Sequence, residues 1–209
     1  MADNYLERKA EELKQPKVVV KRVNSSLDTL LKRNRSYRGY DNSRTITIEE
    51  LKDIASVSCL CPSGMNRQTL RFRLVTKEDA GKILPHITLG AALPEEHLPK
   101  PGMEPQAFIV ICSTVPEDRV IDMDLGIAAQ SMLLRAAEKG LNGIFILNFR
   151  AQQVQEALGL ELKPLAVLAI GKGAENIFIV PAKPGESLSY YRKNGVHFVP
   201  KLGIEDLLV

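Results

Sequence analysis

Apolar residues recur at helical spacing in three stretches of the chain. After Asn24 or Ser25, either of which can cap a helix, leucines repeat on one face of residues 27–31. Thr47 is followed three residues later by Glu50, the pattern of a capping box, and a second amphipathic segment follows. A third segment covers 151–158. These patterns predict helices that begin near Leu27, at Thr47 and at residue 151.

Short runs rich in aliphatic, aromatic and β-branched residues lie between these segments and predict strands. The runs are Phe72–Val75, Ala107–Cys112, Gly143–Leu147 and Leu165–Ile170. Helices and strands interleave without strict alternation, which favours a mixed α/β sheet domain.

The segment from Asp122 to Gly140 predicts a long helix. Most of its side chains are apolar or small, and Ser131, Arg135 and Glu138 form a narrow polar strip. A helix of this composition is expected to be buried almost all round. Its small residues would allow another backbone or a flat ring to approach closely, although such residues usually serve packing alone.

Two stretches lack regular periodicity. Residues 85–105 contain five prolines, which prevent a continuous helix or a central strand, so this segment is either a lid over a functional site or ordinary surface packing. The chain after Ala174 is polar and rich in Pro and Gly, which predicts an irregular tail. Apolar residues at 177–180 and 204–209 indicate that the tail packs against something.

The chain of 209 residues is long enough for one well-packed domain, which we place at 25–209. Residues 1–24, with a charged helix at 4–14 and the valine run 18–20, form an N-terminal extension. The first residues lack the apolar core of a signal peptide, and the longest strongly apolar run, Phe108–Cys112, is too short to span a bilayer. We therefore expect a cytoplasmic protein with no membrane partner.

The net charge of +3 conceals an asymmetry along the chain. Residues 1–76 hold 15 Lys and Arg against 9 Asp and Glu, whereas the remainder holds 13 against 16. A basic front half can meet nucleic acid, an anionic membrane or a cofactor that carries phosphate. A nucleic-acid site normally adds a stacking surface or a recognisable module. Aromatic residues are only 5% of the chain, so we expect no nucleic-acid partner.

Several kinds of catalytic site have no support in the sequence. No glycine-rich dinucleotide fingerprint, P-loop or nucleophile elbow is present, and the three histidines lie far apart. The cysteines number three, with two of them close together at Cys59 and Cys61 and no histidine nearby. We expect buried, reduced thiols rather than a metal site or a disulfide framework.

A basic cluster follows the first helix. It consists of Lys32, Arg33, Asn34, Arg35, Ser36 and Arg38. Arginine forks, a hydroxyl and a carboxamide can together hold a phosphate group. A solvated basic helix end, which the helix dipole also favours, explains the same residues.

The heptad Pro62–Gln68 predicts an irregular loop. Pro62 lacks a backbone donor, and Gly64 is free to take a positive φ. Ser63, Asn66 and Gln68 add groups that donate and accept hydrogen bonds, as the edge of an isoalloxazine or pyrimidine ring requires. A polar surface turn is the alternative for such a heptad taken alone.

Three motifs in order resemble the FMN-dependent nitroreductase family over roughly residues 25–193. They are Arg-Ser-Tyr-Arg at 35–38, Pro-Ser-Gly-Met-Asn-Arg-Gln at 62–68, and Asp-Leu-Gly-Ile-Ala-Ala-Gln at 124–130 with its continuation through Ala136, Gly140 and Leu141. The resemblance implies the nitroreductase-like FMN-binding fold, an α+β (mixed α/β) sandwich with a central, mainly antiparallel sheet flanked by helices. It also implies a homodimer with shared active sites, in which the C-terminal tail crosses to the partner subunit.

The resemblance further implies which residues bind FMN. In the family, the Arg-Ser-x-Arg element holds the phosphate and ribityl chain, and the Pro-Ser-x-x-Asn-x-Gln loop reaches the flavin from the other subunit. A later backbone segment approaches the flavin N5, and basic residues near the C-terminus lie at the phosphate. The implied ligands in this chain are Asn34, Arg35, Ser36, Arg38, Pro62, Ser63, Met65, Asn66, Gln68, Leu147, Asn148, Gly171, Lys172 and Arg192.

The implied activity is that of an FMN-dependent oxidoreductase. NAD(P)H donates hydride to the flavin N5 and leaves, and a small nitroaromatic, quinone or similar electron-poor acceptor then enters the same cleft in a ping-pong cycle. Because the cofactor performs the chemistry, no catalytic side chain is expected. Other activities remain open: reductive dehalogenation or flavin fragmentation on the same scaffold, or non-enzymatic binding of anions or nucleic acid. The chain has Thr69-Leu70 where many family members have Pro-Trp, so the acceptor is undetermined.

Overall fold

Four antiparallel strands form the central sheet of this computed structural model, which describes residues 25–209. They are β1 (Leu70–Val75), β2 (Ala107–Ser113), β3 (Asn142–Ile146) and β4 (Pro164–Gly171), in the order β1-β2-β4-β3. Each neighbouring pair runs antiparallel, so the α+β prediction with a mainly antiparallel sheet is confirmed. The helix predicted at 4–14 and the valine run at 18–20 lie outside the described residues.

The helices of the domain are α1 (Leu27–Arg33), α2 (Ile48–Ser56), α3 (Arg119–Glu138) and α4 (Ala151–Leu158). The capping box of α2 is confirmed, since the Thr47 hydroxyl accepts the Glu50 N–H and the Glu50 carboxylate accepts the Thr47 N–H. Ser26 caps α1, rather than either of the two residues before it. The long helix begins at Arg119 and not at Asp122, because the Asp118 carboxylate accepts two N–H groups of its first turn.

Alternating side chains of the two central strands enter two apolar layers. Ile109 and Ile111 of β2 pack with α2 and α3, whereas Phe108 and Val110 pack with α4 on the opposite face of the sheet. Both faces are thus covered, which explains why the seven residues of β2 are all buried.

Helix α3 is not buried all round, which corrects the prediction made from its composition. Ile121, Leu125 and Met132 are buried on its core side, but Met123 is 52% exposed and Ile127 is 39% exposed on the other. The apolar face of α3 is therefore wider than one sheet can cover. No helix within residues 25–209 is both long and apolar enough to cross a membrane.

We predicted an irregular tail, but the tail folds into a second sheet. Its strands are β5 (Asn176–Ala182), β6 (Tyr191–Lys193) and β7 (Val196–Leu202), in the order β5-β7-β6. β5 pairs with β7 in parallel, and β6 pairs with β7 as an antiparallel hairpin.

An Asn-Gly turn closes this hairpin and could have revealed it in the sequence. Asn194 and Gly195 have φ values of 50° and 76°, and they separate the paired residues Lys193 and Val196. Two central residues with positive φ are the requirement of a two-residue hairpin turn, and Asn-Gly is its strongest short sequence signal.

The proline-rich segment 85–105 packs against the domain surface through its backbone. The Thr88 N–H donates to the Asn148 carbonyl at 3.0 Å, and the Tyr40 N–H donates to the Met103 carbonyl at 3.0 Å. Leu89 is buried in the apolar layer that contains α4. These contacts agree with the surface-packing alternative at both ends of the segment.

Candidate functional site

A cleft of about 330 Å³ lies between the end of α1, strand β3 and the tail sheet. The segment after α1 contributes Asn34, Arg35, Ser36 and Arg38 to its wall, and the tail contributes Tyr190, His197 and Lys201. None of the described residues that line the cleft carries a carboxylate. The cleft therefore combines four residues predicted to bind phosphate with three that our sequence analysis did not single out.

Backbone pairing with β3 fixes the position of the segment after α1. Ser36 forms a parallel bridge with Gly143, and the Tyr37 N–H donates to the Gly143 carbonyl at 3.1 Å. The Asn34 carboxamide donates to the Gln130 side chain on α3 at 3.3 Å. Residues 34–38 therefore form part of the domain framework.

The two arginines of this segment have different environments. The Arg35 guanidinium donates to the carbonyls of Asn34 and Leu31, each at 2.7 Å, and thereby caps the end of α1. Partial burial lowers the pKa of Arg35. Arg38 is buried, its guanidinium carbon lies 4.5 Å from the centroid of the Tyr190 ring, and its Nε has no partner among the described residues. Arg38 thus joins the domain to the tail.

His197 lies in the same cleft wall and is almost fully buried. Its ring centroid is 5.2 Å from that of Tyr190. Burial, and then the charges of Arg38 and Arg192, lower the pKa of His197 to about 4. The imidazole is therefore neutral near pH 7, and its Nδ1 has no hydrogen-bond partner in residues 25–209.

Three other residues predicted at the phosphate end do not line this cleft. Lys172 pairs with Asp41 at 3.0 Å, and hydrogen bonds from Ser43 and Lys172 lower the pKa of Asp41 to about 2. Gly171 is buried against the Tyr40 ring, which would lie 2.6 Å from a Cβ at that position. Arg192 is held elsewhere, between two carboxylates.

Glu175 is the centre of the contacts that hold Arg192. Its carboxylate accepts hydrogen bonds from the Arg38 N–H, from the Gly39 N–H at 3.0 Å and from the Arg192 guanidinium. Arg192 also lies 3.6 Å from Glu96, in the proline-rich segment. This cluster, which we call the Glu175 clasp (Glu96, Glu175 and Arg192), links three parts of the chain that are distant in sequence.

The loop 62–68 has an unusual backbone. Met65, Asn66 and Gln68 have φ values of 51°, 53° and 50°, whereas Gly64, although free to take a positive φ, does not do so. A glycine is needed at position 64 because the loop passes close to α3. A Cβ at this position would lie 2.2 Å from the Val120 Cγ1. Left-handed conformations cost energy in residues with a side chain, so the surroundings must hold this loop in place.

Asp124 on α3 provides part of that support. Its buried carboxylate accepts the Gly64 N–H at 2.9 Å and 3.2 Å through its two oxygens. Within the loop, the Gln68 carboxamide donates to Asn66 Oδ1 at 3.1 Å. Met65 extends outward and is 83% exposed.

A second, separate cleft of about 210 Å³ lies beside this loop. Pro62, Ser63 and Gln68 line it, together with Cys59 and Cys61. Cys59 is exposed and Cys61 is partly exposed, which contradicts the prediction of buried thiols for these two residues. Cys112 is buried, as predicted, and its burial raises the pKa of the thiol to about 11. The three cysteines are free thiols. Residues of the loop and of segment 34–38 therefore line different clefts.

Leu147 and Asn148, predicted to approach the flavin N5, follow β3 directly. Both are exposed, and the Asn148 carbonyl accepts the Thr88 N–H of the proline-rich segment. Neither residue lines either cleft. The predicted site residues of one chain thus lie in several separate places rather than in one pocket.

Comparison with known proteins identifies the family. The model of the Nitroreductase family matches residues 31–172, which is more than half of the chain. No curated protein matches the sequence.

Solved structures match over most of the domain. An FMN-dependent nitroreductase from Clostridium difficile is 23% identical with a TM-score of 0.58, and the match covers 72% of this chain and 89% of that one. A candidate nitroreductase from Exiguobacterium sibiricum, solved in complex with FMN, is 20% identical with a TM-score of 0.58, over 72% and 90%. A candidate NAD(P)H:FMN oxidoreductase from Staphylococcus epidermidis is 17% identical with a TM-score of 0.59, over 75% and 90%. At these identities the likeness establishes a shared fold.

Proposed function

Since the chain belongs to the nitroreductase family, we propose that it is an FMN-dependent oxidoreductase that transfers hydride from NAD(P)H to a small electron-poor acceptor. When bound, FMN would supply the redox chemistry, taking hydride at N5 and passing it to a nitroaromatic, a quinone or a similar compound. The chain's own residues would bind and orient the ring system and exclude water.

The carboxylate-free cleft is the observation that carries this proposal. Three residues with cationic side chains, Arg35, Arg38 and Lys201, line it, and Ser36 lines it as well. A phosphate monoester carries about two negative charges near pH 7 and accepts several hydrogen bonds. Two residues of this wall, Arg38 and His197, each have a buried ring or guanidinium nitrogen with no partner among the described residues. These features fit the phosphate end of FMN.

A second copy of the chain would complete the site. Leu60, Met65, Met123 and Ile127 are all exposed, and they belong to the loop region and to the outer face of α3. Exposed apolar side chains on neighbouring elements commonly mark a protein interface. Dimerisation over this face would bury them and carry the loop 62–68 towards the flavin of the partner, as the family resemblance implies.

Flavin content and reduction test the proposed function directly. Purified protein supplied with FMN should show flavin absorbance, and NADH or NADPH should bleach it under anaerobic conditions. Steady-state rates with a quinone acceptor should then give the parallel double-reciprocal plots of a ping-pong cycle. A bound flavin that neither nicotinamide reduces would favour another reaction on this scaffold, and protein that retains no flavin would favour a non-enzymatic anion-binding role.

Matched arginine variants test the cleft. Arg35→Ala should weaken FMN binding about tenfold or more, because it removes a cation from the cleft wall. Arg33→Ala, two residues earlier on the exposed side of α1, is the control and should bind FMN as wild type does. Equal flavin affinity in all three proteins would count against the phosphate assignment.

Sedimentation velocity tests the dimer. Met123→Glu combined with Ile127→Glu should shift the protein towards a monomer and lower its flavin content at the same time. Val115→Glu changes an apolar residue of similar exposure (37%) just before α3 and serves as the control. A double variant that stays dimeric and yellow would show that this face is not the interface.

A further inference from the structure

The cleft of about 210 Å³ beside the loop 62–68 contains two of the three cysteines of the chain. Cys59 and Cys61 both line it, both are free thiols, and one residue separates them. The cleft proposed for the flavin phosphate uses neither of them. Two thiols that share a cleft can carry out a reaction that one cannot, because the second can resolve the mixed disulfide that the first forms.

The backbone between the two cysteines brings them within reach of each other. Leu60 belongs to the short 3₁₀ turn Val57–Leu60, and the Cys61 N–H donates to the Ser58 carbonyl at 3.1 Å. Cα atoms two residues apart in such a turn are separated by about 5 Å, which lies inside the range that a disulfide spans. The spacing of the two cysteines is therefore compatible with a bond between their sulfurs.

The surroundings of the two thiols differ in a way that suits two successive roles. Cys59 is exposed, whereas Cys61 is only partly exposed and its thiol donates to the Val57 carbonyl at 3.5 Å. An attacking thiol must be reached by a molecule from solution, but a resolving thiol has only to reach the sulfur of its neighbour. Cys59 is thus placed to attack and Cys61 to resolve. Cys112 is buried and does not line this cleft.

The rest of the cleft offers groups that can hold the polar ends of a small ligand. Thr69 is almost fully buried in the lining, and its hydroxyl has no hydrogen-bond partner among the described residues. Arg71 adds an exposed guanidinium, of which one nitrogen donates to the backbone carbonyls of residues 68 and 70. Among the described residues that line the cleft, Asp124 alone carries a carboxylate, and this group is buried and accepts the Gly64 N–H. These groups favour a ligand that carries carboxylates of its own.

We propose that Cys59 and Cys61 form a dithiol site that exchanges with small disulfides carrying carboxylate groups. The Cys59 thiolate attacks one sulfur of the bound disulfide, forms a mixed disulfide and releases the first small thiol. The Cys61 thiolate then attacks Cys59 Sγ, closes a Cys59–Cys61 disulfide and releases the second small thiol. Two protein thiols are oxidised, one small disulfide is reduced to two thiols, and the two cysteine protons end on the released thiols. No step involves FMN, so the site does not depend on the proposed flavin function.

Mass spectrometry of the fully reduced protein after reaction with glutathione disulfide tests the site. Excess N-ethylmaleimide in denaturant would stop the reaction and label the remaining thiols. Wild type should lose two hydrogen atoms, retain no glutathione and take up a single maleimide, at Cys112. Cys61→Ser should instead stop at a stable mixed disulfide on Cys59, and Cys59→Ser should react about tenfold more slowly, because Cys61 is less accessible. Cys112→Ser is the control and should form the same disulfide as wild type.

The class of ligand is tested by the rate of the first step. Arg71→Gln removes a cation from the cleft and should slow the attack on glutathione disulfide about threefold, while the attack on uncharged hydroxyethyl disulfide keeps its rate. Arg73→Gln changes an exposed arginine of the same strand that does not line this cleft, so it is the matched control and should alter neither rate.

Every other outcome contradicts a stated part of the proposal. Wild type that stops at a mixed disulfide would show that Cys61 does not resolve it. A covalent dimer on a non-reducing gel would show that the thiols pair with a second copy of the chain instead. Thiols that all remain free would show that the cleft is closed to small disulfides, as when a partner subunit covers Leu60 and the thiols beside it. If Arg71→Gln slowed both small disulfides equally, or neither, the requirement for carboxylates would be wrong.

Discussion

Segment 34–38 and the loop 62–68 are both polar and both predicted to bind FMN, yet the chain holds them in opposite ways. Segment 34–38 is paired with β3 and covered by the tail, and its Arg38 is buried against Tyr190. The loop extends outward with three residues of positive φ, and a single buried carboxylate, that of Asp124, accepts its Gly64 N–H.

The difference indicates what each segment can do alone. Segment 34–38 is fixed by contacts with Gly143 of β3, Gln130 of α3 and Glu175, all within one chain, so its position does not require a partner. The backbone of the loop is tied to α3 through Asp124 but most of its side chains are exposed, which suits a segment presented to another molecule. The proposed dimer would bring segment 34–38 of one subunit together with the loop 62–68 of the other. Each segment is held by its own contacts, so each can be weakened separately.

The largest expected effect follows from removing the centre of the Glu175 clasp. Glu175→Ala leaves the mostly buried Arg192 with only the more distant Glu96 and leaves two backbone N–H groups without their acceptor. Breaking a buried ion pair in this way costs about 3 kcal/mol, which urea denaturation would measure. The loss should detach the tail sheet and with it one wall of the cleft.

A graded variant and an exposed pair serve as controls for this prediction. Glu175→Gln keeps an acceptor for the Gly39 N–H and should cost less than the alanine variant. Asp79→Ala removes an exposed ion pair with Lys82 and should leave the unfolding midpoint unchanged. If Glu175→Ala is as stable as wild type, the clasp does not hold the tail.

The loop's support is tested at its close approach to α3, with a smaller expected effect. In Gly64→Ala the new methyl group would meet the Val120 Cγ1 at 2.2 Å, so either the loop or the helix must move. Overpacking of this kind costs about 2 kcal/mol. Thermal unfolding would detect the loss, and flavin content would show whether the displaced loop still completes the site.

A second substitution should reverse that loss. Val120→Ala removes the clashing methyl group, so the double variant Gly64→Ala with Val120→Ala should recover part of the stability that Gly64→Ala loses. Gly81→Ala is the control for the intrinsic effect of replacing glycine, because a Cβ there meets no atom within 4 Å. Failure of Val120→Ala to rescue would place the damage elsewhere than at the contact with α3.

The sequence predicted the parts of the molecule that local rules determine. The capping box at Thr47, the helix at 151–158 and the four strands of the central sheet depend on neighbouring residues, and all appear in the structure. The motif at 35–38 was also recognisable, because its arginines and serine are adjacent in the chain. Family membership followed from the order of such motifs.

The missed features depend on residues that are far apart in sequence. Composition could not show that α3 has more apolar surface than one sheet covers, since that requires knowing the sheet. Nor could it show that Glu175 holds Arg192 or that Lys201 of β7 lines the same cleft as Arg35, because both depend on how the tail folds onto the domain. Only the hairpin of the tail had a local signal, Asn194-Gly195, and it was overlooked.

The smallest expected effect concerns the pH dependence of the cleft wall. His197 has a pKa of about 4 in the folded chain, against an ordinary value of about 6.5, because burial and the charges of Arg38 and Arg192 disfavour its protonated form. Between these two values the unfolded chain binds a proton that the folded chain does not. The stability that the neutral His197 contributes is therefore complete above pH 6.5 and is lost as the pH falls to about 4.

The size of this effect should be about 1–2 kcal/mol, less than the full pKa difference implies, because the ring borders an open cleft that screens its charge. The free energy of unfolding would be measured from pH 7 to pH 4 for wild type and for His197→Phe, which has no titrating group at this position. Carboxylates that titrate in the same range contribute equally to both proteins, so they cancel in the difference. The difference should change across this range in the sense that wild type loses more stability on acidification. A constant difference would mean that His197 titrates normally in the folded chain and that burial does not hold its imidazole neutral.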